Sequence, residues 1–135
     1  MGGARSVEGV GRLRREIGHL ILSRPDMLSA EGFGQLAGLG PAEMERRRLR
    51  REVLAFEVGD GRIRAPMWQV GGDRSLLPAL PLLFEALGDD PWSVYLFLTS
   101  PHPQFDWAAP LQTLRNGVTA PVVAAAFEQG LEAHA

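Results

Sequence analysis

The first part of the chain places apolar residues with the period of an α-helix. Five apolar residues recur at spacings of three and four: Val10, Leu13, Ile17, Leu20 and Ile21. This stripe predicts an amphipathic helix over about 7–22, preceded by a flexible tail at 1–5. The segment 23–26, Ser-Arg-Pro-Asp, is expected to end the helix because it contains a proline and turn-forming residues.

Two shorter helices are predicted next, separated by a glycine-rich turn. Ser29 is a suitable N-cap for a helix that ends near residue 37, with Phe33, Leu36 and Ala37 facing inward. The segment 38–40, Gly-Leu-Gly, forms the turn. Pro41 then opens a helix that runs to about residue 51, since proline is favoured at the first helical position.

The pattern changes at residue 53, where strand-forming residues replace the helical periodicity. The segments 53–58 and 62–65 flank the turn Gly59-Asp60-Gly61, which predicts a β-hairpin that residues 67–70 extend. Proline and glycine punctuate the remainder into four predicted helices, at about 77–87, 91–98, 110–115 and 120–131.

The predicted fold is therefore mainly α, with an N-terminal helix-turn-helix-like unit, a short β-hairpin and a small C-terminal helical bundle. We expect three parts: residues 1–52, the hairpin connector 53–73, and the helical domain 74–135.

Composition excludes several classes of function. The 135-residue chain has no cysteine, which rules out disulfides, thiolate zinc sites and a cysteine nucleophile. The sequence contains no signal peptide and no apolar stretch long enough to cross a bilayer, so we expect a cytoplasmic protein with no membrane partner. The net charge of −2 argues against a protein that coats nucleic acid generally.

The charge is unevenly distributed along the chain. Residues 1–52 hold ten arginines and seven acidic residues, a net of +3, whereas residues 53–135 have a net of −5. Every basic residue is Arg. We attribute the absence of lysine to a GC-rich genome, because such genomes favour arginine codons.

The spacing of small and apolar residues in the second and third helices is typical of a helix-turn-helix. Gly34 is the small residue where the helices cross, Gly38 the turn glycine, Leu39 an inward-facing turn residue, and Met44 the apolar anchor of the second helix. The pattern usually has a second apolar anchor three residues later, where this chain has Arg47.

The third helix is rich in charged residues that could contact DNA. Arginine can bind phosphates by charge or guanine edges by paired hydrogen bonds. The predicted DNA-binding residues are Glu43, Arg46, Arg47, Arg48, Arg50 and Arg51. The alternative is that this run is only a solvated helical face, as charge runs usually are.

Four short motifs follow one another in the second half of the chain. They are PMWQ at 66–69, LPLLFEALG at 80–88, PWSVYLFLTSP at 91–101 and PLQTLRNG at 110–117. A final helical segment, 122–131, follows them. In order and spacing this succession resembles the toxin-binding domain of Xre/MbcA/ParS-type antitoxins, the partners of RES-type toxins among others. The resemblance covers roughly half of the chain.

One loop departs from that family pattern. Relatives approach the proline equivalent to Pro110 through Leu-x-Gly-x-Ser/Thr, whereas this chain has Phe105-Asp106-Trp107-Ala108-Ala109. Trp107 thus stands where the family has glycine. Because aromatic side chains dominate interface hot spots, Trp107 is a candidate surface anchor, with local loop packing as the alternative.

The resemblance implies a function in protein binding. Family members sequester a toxin encoded beside them, and many also repress their own promoter. In RES systems the toxin consumes NAD, and the C-terminal region of the antitoxin blocks the entrance to its active site. The partner-binding residues expected by this analogy, together with Trp107, are Arg115, Asn116, Gly117, Glu128 and Glu132.

The residue types that usually perform catalysis are not grouped in this sequence. His19, His102 and His134 have no ligand spacing, and Asp89-Asp90 before Pro91 is the pattern of a helix N-cap rather than an acid/base pair. The glycine-containing turns do not match a phosphate-binding loop. We therefore expect no enzyme activity, no metal and no cofactor.

The sequence favours an antitoxin-like regulator that occludes a cognate toxin, for which a RES-type toxin is the candidate, and that binds operator DNA. The alternative is a stand-alone DNA-binding regulator or interaction adaptor without a toxin. A homodimer is expected if the DNA is read as two half-sites.

Overall fold

The structure is a computed structural model that describes residues 3–133, and it confirms the mainly helical fold with a small antiparallel sheet. The α-helices are α1 (Gly3–Leu22), α2 (Ala30–Ala37), α3 (Pro41–Leu49), α4 (Leu80–Ala86), α5 (Pro91–Thr99), α6 (Pro110–Arg115) and α7 (Ala120–Ala133). The strands are β1 (Met27–Ser29), β2 (Phe56–Glu57) and β3 (Ile63–Pro66), and two 3₁₀ turns span Met67–Gln69 and Pro103–Phe105.

The sheet has one strand more than the sequence predicts. β2 and β3 form the expected hairpin, and β1 pairs antiparallel with the other edge of β3, with Met27 opposite Pro66 and Ser29 opposite Arg64. A three-residue strand is too short to show an alternating pattern, and its partner lies more than thirty residues away. Local sequence signals therefore could not identify it.

The hairpin ends earlier than the sequence predicts. Residues 67–69 form a 3₁₀ turn instead of extending β3, because the Met67 amide donates a hydrogen bond to the carbonyl of Asp26 and the Val70 amide to the carbonyl of Met67. These bonds turn the chain away from the sheet. α4 similarly begins at Leu80 rather than near 77, since Ala79 before it adopts a left-handed conformation with φ of 67°.

Two hydrophobic cores organise the chain, and the hairpin region contributes to both. The first core joins α2 and α3 to the hairpin through Phe33, Met44, Val53 and Ile63. The second core lies among α4–α7 and also contains these four residues: Ile21, Met27, Leu54 and Phe56. The N-terminal helices and the C-terminal bundle are thus both packed against the segment 53–70.

The side chain of Gln69 ties that segment together. It is fully buried, its Oε1 accepts a hydrogen bond from the Leu54 amide at 2.8 Å, and its Nε2 donates to the carbonyls of Leu54 at 2.8 Å and Pro66 at 3.1 Å. A buried amide with all these bonds made fixes the chain that leads into β2 against the end of β3. This is a structural role for the glutamine of the PMWQ motif.

Close backbone approach determines how the helical bundle packs. A Cβ atom at Gly130 on α7 would overlap the carbonyl oxygen of Ala86 on α4, so only glycine permits this crossing. Asp90 caps α5 by accepting from the Trp92 amide at 3.2 Å, which confirms the predicted cap. α5 contributes Val94, Tyr95, Phe97 and Leu98 to the second core, whereas Leu96 is exposed and Trp92 is partly buried.

α1 begins at Gly3, where a flexible tail was expected, and it lies against the protein through only part of its surface. Ile21 is buried, and a Cβ atom at Gly18 would lie 3.4 Å from the Trp92 ring. Leu36 on α2, expected to face inward, is also partly exposed.

Candidate functional site

The α2–α3 pair has the close crossing that the helix-turn-helix spacing predicts. The Ser29 hydroxyl caps α2 by accepting from the Gly32 amide at 3.1 Å, as predicted. Gly38 ends α2 in a left-handed conformation with φ of 73°. A Cβ atom at Gly34 would lie 2.7 Å from the Leu39 carbonyl oxygen, so a larger residue would push the turn away from α2.

Only one of the two apolar anchors that a helix-turn-helix usually has in its second helix, here α3, is present. Met44 is buried in the first core, as expected. Arg47, at the position of the usual second anchor, is partly exposed and donates to Glu43 at 3.0 Å and to Glu52 at 3.3 Å. An ion-paired arginine therefore occupies the place of an apolar contact.

Most of the predicted DNA-contacting arginines are engaged with carboxylates of the protein itself. Arg46 bonds Glu43 at 2.7 Å, and Arg48 bonds Glu45 at 2.6 Å. A hydrogen bond from Arg47 and the charge of Arg46 lower the pKa of Glu43. A hydrogen bond from Arg48 lowers the pKa of Glu45.

Each of these ion pairs lowers the net positive charge that α3 presents to a phosphate backbone. Among the five predicted arginines, Arg50 is the one with no ion pair to another residue of the described chain 3–133.

Arg51 connects the end of α3 to the bundle. Its Nε and Nη2 bond the two carboxylate oxygens of Asp89, both at 2.7 Å, and its guanidinium lies 5.5 Å from the centroid of the Phe84 ring. Arg51 and Asp89 both have positive φ, which turns each backbone so that the two side chains meet. The hydrogen bond from Arg51 lowers the pKa of Asp89.

Trp107 lies on the loop that precedes α6, and 69% of its surface is exposed. Its backbone amide donates to the carbonyl of His102 at 3.0 Å, and the Ala108 amide donates to Phe105 at 2.9 Å. The Nδ1 of His102 caps the same loop by accepting from the Gln104 amide. The loop is thus held by its own hydrogen bonds while the indole ring faces solvent.

The backbone at Trp107 has φ of 67°, the left-handed region that glycine occupies without cost. A tryptophan here costs about 1 kcal/mol or more in backbone strain. Because the ring is exposed, core packing does not offset that cost, and strain of this kind is found disproportionately at functional sites.

α7 lies beside the Trp107 loop and presents an outward face. Gln104 Nε2 donates to Glu128 Oε2 at 2.7 Å, which brings α7 next to the loop. Leu131 on α7 is 72% exposed, and Glu132 is exposed one turn after Glu128. Neither Leu131 nor Gln104 was predicted from the sequence to be part of this surface. An apolar residue between two exposed glutamates was the available signal for Leu131.

The six predicted partner-binding residues therefore divide into two groups. Trp107 precedes the first residue of α6, Glu128 on α7 is bonded to Gln104 of the same loop, and Glu132 follows one helical turn after Glu128. Arg115, Asn116 and Gly117 are exposed in the turn where α6 ends. α6 has six residues and is therefore about 9 Å long. The two groups lie toward opposite ends of this helix, so they are separated by roughly that length or more.

We call the first group, together with Leu131, the Trp107 face. Gly117 has φ of 86° and allows the sharp turn from α6 into α7.

The structure brings no three His, Asp or Glu side chains together as metal ligands within the described chain. His19 is exposed on α1, His102 caps the Trp107 loop, and His134 lies outside the described residues. No helix in residues 3–133 is both long enough and apolar enough to span a membrane.

A surface groove of about 720 Å³ lies between α2, α3 and the hairpin turn, lined partly by Gly34, Leu39, Met44 and Ile63. Its charged lining residues are Glu31 and Glu45.

Comparison with protein-family models, with curated proteins and with solved structures gave no significant match to this chain.

Proposed function

We propose that this protein is a non-enzymatic, antitoxin-like regulator of the cytoplasm that neutralises a cognate toxin by binding it through the Trp107 face. The observation that supports this is the exposed indole of Trp107 on a hydrogen-bonded loop with left-handed backbone. Large aromatic side chains held in one place are the residues that contribute most to protein–protein affinity.

The surroundings of Trp107 support the same proposal. Leu131 adds exposed apolar surface on α7, and Glu128 and Glu132 give the face a negative rim. An apolar centre with a charged rim is the usual organisation of a protein interface. The partner is therefore expected to present an apolar pocket with basic residues around it. The resemblance implies a RES-type toxin, whose NAD-consuming site the bound protein would cover.

The proposal is tested by growth rescue. The gene beside this one is expressed alone, and then together with this protein, in a heterologous bacterium. Arrest of growth by the neighbour and its reversal by the wild-type protein are expected. Trp107→Ala and Leu131→Asp should abolish the reversal, whereas Met67→Ala, which changes another exposed apolar residue, should leave it intact. Rescue that is equally strong in all three variants would contradict the assignment of the Trp107 face.

A RES-type partner has a chemical readout that separates it from other toxins. Cellular NAD should fall when the toxin is expressed alone and should recover when this protein is co-expressed. If the toxin arrests growth while cellular NAD stays constant, the antitoxin function still stands, but the partner is not a RES-type toxin.

DNA binding is the second candidate function, and the close crossing at Gly34 favours it. The arginines of α3 are mostly ion-paired, so we expect weak binding to the protein's own upstream DNA, in which Arg50, at the end of the helix, supplies the charge that no carboxylate of the described chain neutralises. Fluorescence anisotropy at increasing salt measures this: affinity should fall steeply with salt. Unchanged binding by the variant Arg46→Ala, Arg48→Ala, Arg50→Ala would reject α3 as the contacting helix.

A further inference from the structure

One ion pair connects the end of α3 to the C-terminal bundle. Arg51 and Asp89 are 38 positions apart in the sequence, and two hydrogen bonds of 2.7 Å join the guanidinium to both carboxylate oxygens. The other ion pairs of the described chain 3–133 connect residues of α3 with one another, with Glu52 or with Glu57 on β2. Through Asp89, the bundle therefore acts on the charge at the end of α3.

Asp89 occupies the edge of the Arg51 guanidinium that is best suited to bind a phosphate. Arginine recognises a carboxylate or a phosphate by the same geometry, in which two parallel N–H donors meet two oxygens. In Arg51 these donors are Nε and Nη2, and both are bonded to Asp89. The Asp89 carboxylate thus lies where a phosphate group of DNA would bind the same arginine.

The pair is exposed, so it can open without disturbing the fold. The side chains of Arg51 and Asp89 are 39% and 61% exposed. Neither residue belongs to one of the two hydrophobic cores. Exposed ion pairs contribute little to folding stability, so the exchange of this carboxylate for a phosphate does not require the protein to unfold.

Arg51 lies at the C-terminal end of α3, directly after Arg50. Its amide donates to the carbonyl of Arg48 at 3.1 Å, and its φ of 63° ends the helix in the left-handed conformation where glycine is usual. A glycine would end α3 with less strain but would carry no charge. Residues in strained backbone conformations are found disproportionately at functional sites, which favours a role for the guanidinium beyond ending the helix.

We propose that Asp89 is an autoinhibitory contact that withholds Arg51 from the phosphate backbone of DNA. This contact rests on DNA binding by α3, the second candidate function, and adds a means of regulating it. In the free protein the carboxylate holds the guanidinium, and on DNA Arg51 exchanges the carboxylate for a phosphate. Because Asp89 lies in the turn between α4 and α5, the bundle lowers the affinity of α3 for DNA.

Fluorescence anisotropy with a labelled duplex from the protein's own upstream DNA tests the proposal. Asp89→Asn removes the charge that holds Arg51 and should raise the affinity about threefold or more. The added phosphate contact should also steepen the slope of log affinity against log salt concentration by about 0.9. The double variant Arg51→Ala, Asp89→Asn should return both values to those of the wild-type protein, because it removes the freed cation as well.

Glu85→Gln is the matched control for the change in net charge. Glu85 is an exposed carboxylate on α4, four residues before Asp89, and it has no ion pair with another residue in the range 3–133. Glu85→Gln and Asp89→Asn each remove one negative charge from the same region. At a salt concentration that screens distant charges, the affinity of Glu85→Gln should stay close to that of the wild-type protein.

Three outcomes would overturn the autoinhibition while leaving DNA binding by α3 intact. The first is an Asp89→Asn protein that binds the duplex no more tightly than wild type. The second is an equal gain in Asp89→Asn and Glu85→Gln, which would make net charge the cause. The third is a gain that persists in the double variant, which would exclude Arg51 as the added contact.

A different result would reject the second candidate function itself. If neither the wild-type protein nor Asp89→Asn binds the duplex at low salt, then α3 does not bind this DNA, and the autoinhibition is overturned with it. Binding by the wild-type protein without a gain in Asp89→Asn therefore separates the failure of the autoinhibition from the failure of DNA binding.

Discussion

At the scale of single residues, the buried side chain of Gln69 joins separate parts of the backbone. It satisfies the amide and carbonyl of Leu54 and the carbonyl of Pro66 in a place that water does not reach. These backbone groups flank β2 and β3, so one side chain determines how the hairpin joins both cores.

Replacement of Gln69 by Ala should destabilise the protein by about 2–4 kcal/mol, because it leaves buried backbone groups of Leu54 without partners and opens a cavity. Urea unfolding followed by circular dichroism measures the change. Met67→Ala, two residues away and exposed, is the control and should change the free energy of unfolding by less than about 0.5 kcal/mol. Equal losses of unfolding free energy in Gln69→Ala and Met67→Ala would contradict the role of Gln69 in joining the hairpin to both cores.

Trp107 allows a test that separates function from stability. Trp107→Gly removes an exposed side chain and relieves a positive φ, so the free energy of unfolding should stay the same or rise by up to about 1 kcal/mol. Binding of the toxin should nevertheless be lost. A marked loss of stability in Trp107→Gly would show that the ring packs on the loop, which was the alternative explanation for this residue.

At the scale of elements, the sequence predicted the structure best where the signals were local. The features predicted correctly include the caps at Ser29 and Asp90, the prolines that begin α3, α5 and α6, and the turn at Gly38. Each of them depends on residues no more than four positions apart in the sequence. The hairpin was predicted for the same reason.

Features that depend on contacts between residues far apart in the chain could not be predicted from the sequence. β1 exists because β3 offers an edge, and residues 67–69 turn because Asp26 accepts from Met67. The ion pairs of α3 are different: Glu43 and Arg47 are spaced i, i+4, so the neutralising partner was visible in the sequence. The Trp107 face depends on α7 folding back beside the loop, which no local pattern indicates.

The crossing of α4 and α7 depends on the absence of a side chain at one position. Gly130→Ala should lower the free energy of unfolding by about 2 kcal/mol, because the new Cβ overlaps the Ala86 carbonyl and forces the helices apart. Gly9→Ala on α1, where nothing lies within 4 Å, is the matched substitution and should be neutral or slightly stabilising. Thermal unfolding compares the two, and similar losses in both would contradict the close crossing.

At the scale of the whole molecule, the Arg51–Asp89 pair links the end of α3 to the turn before α5. The bond to Arg51 lowers the pKa of Asp89 in the folded state. The stabilisation is therefore present above the pKa of an unfolded aspartate, about 4, and is lost as the pH falls through the lowered folded value.

Asp89→Asn should remove the contribution of this pair to the loss of stability in acid. The contributions of Glu43, Glu45 and Asp73, whose pKa values are also lowered, should remain. The effect is expected to be small because the pair is exposed to solvent. Unfolding measured from pH 7 down to pH 2 in both proteins gives the difference. Superimposable pH profiles would mean that the pair does not contribute.

Amide hydrogen–deuterium exchange shows whether the Trp107 face binds the partner. The protein is compared alone and in complex with the toxin that it neutralises. The account predicts slower exchange in residues 102–109 and 124–133, with α3 and the hairpin unchanged. Protection confined to α3, or to the turn at 115–117, with no change around Trp107, would contradict it.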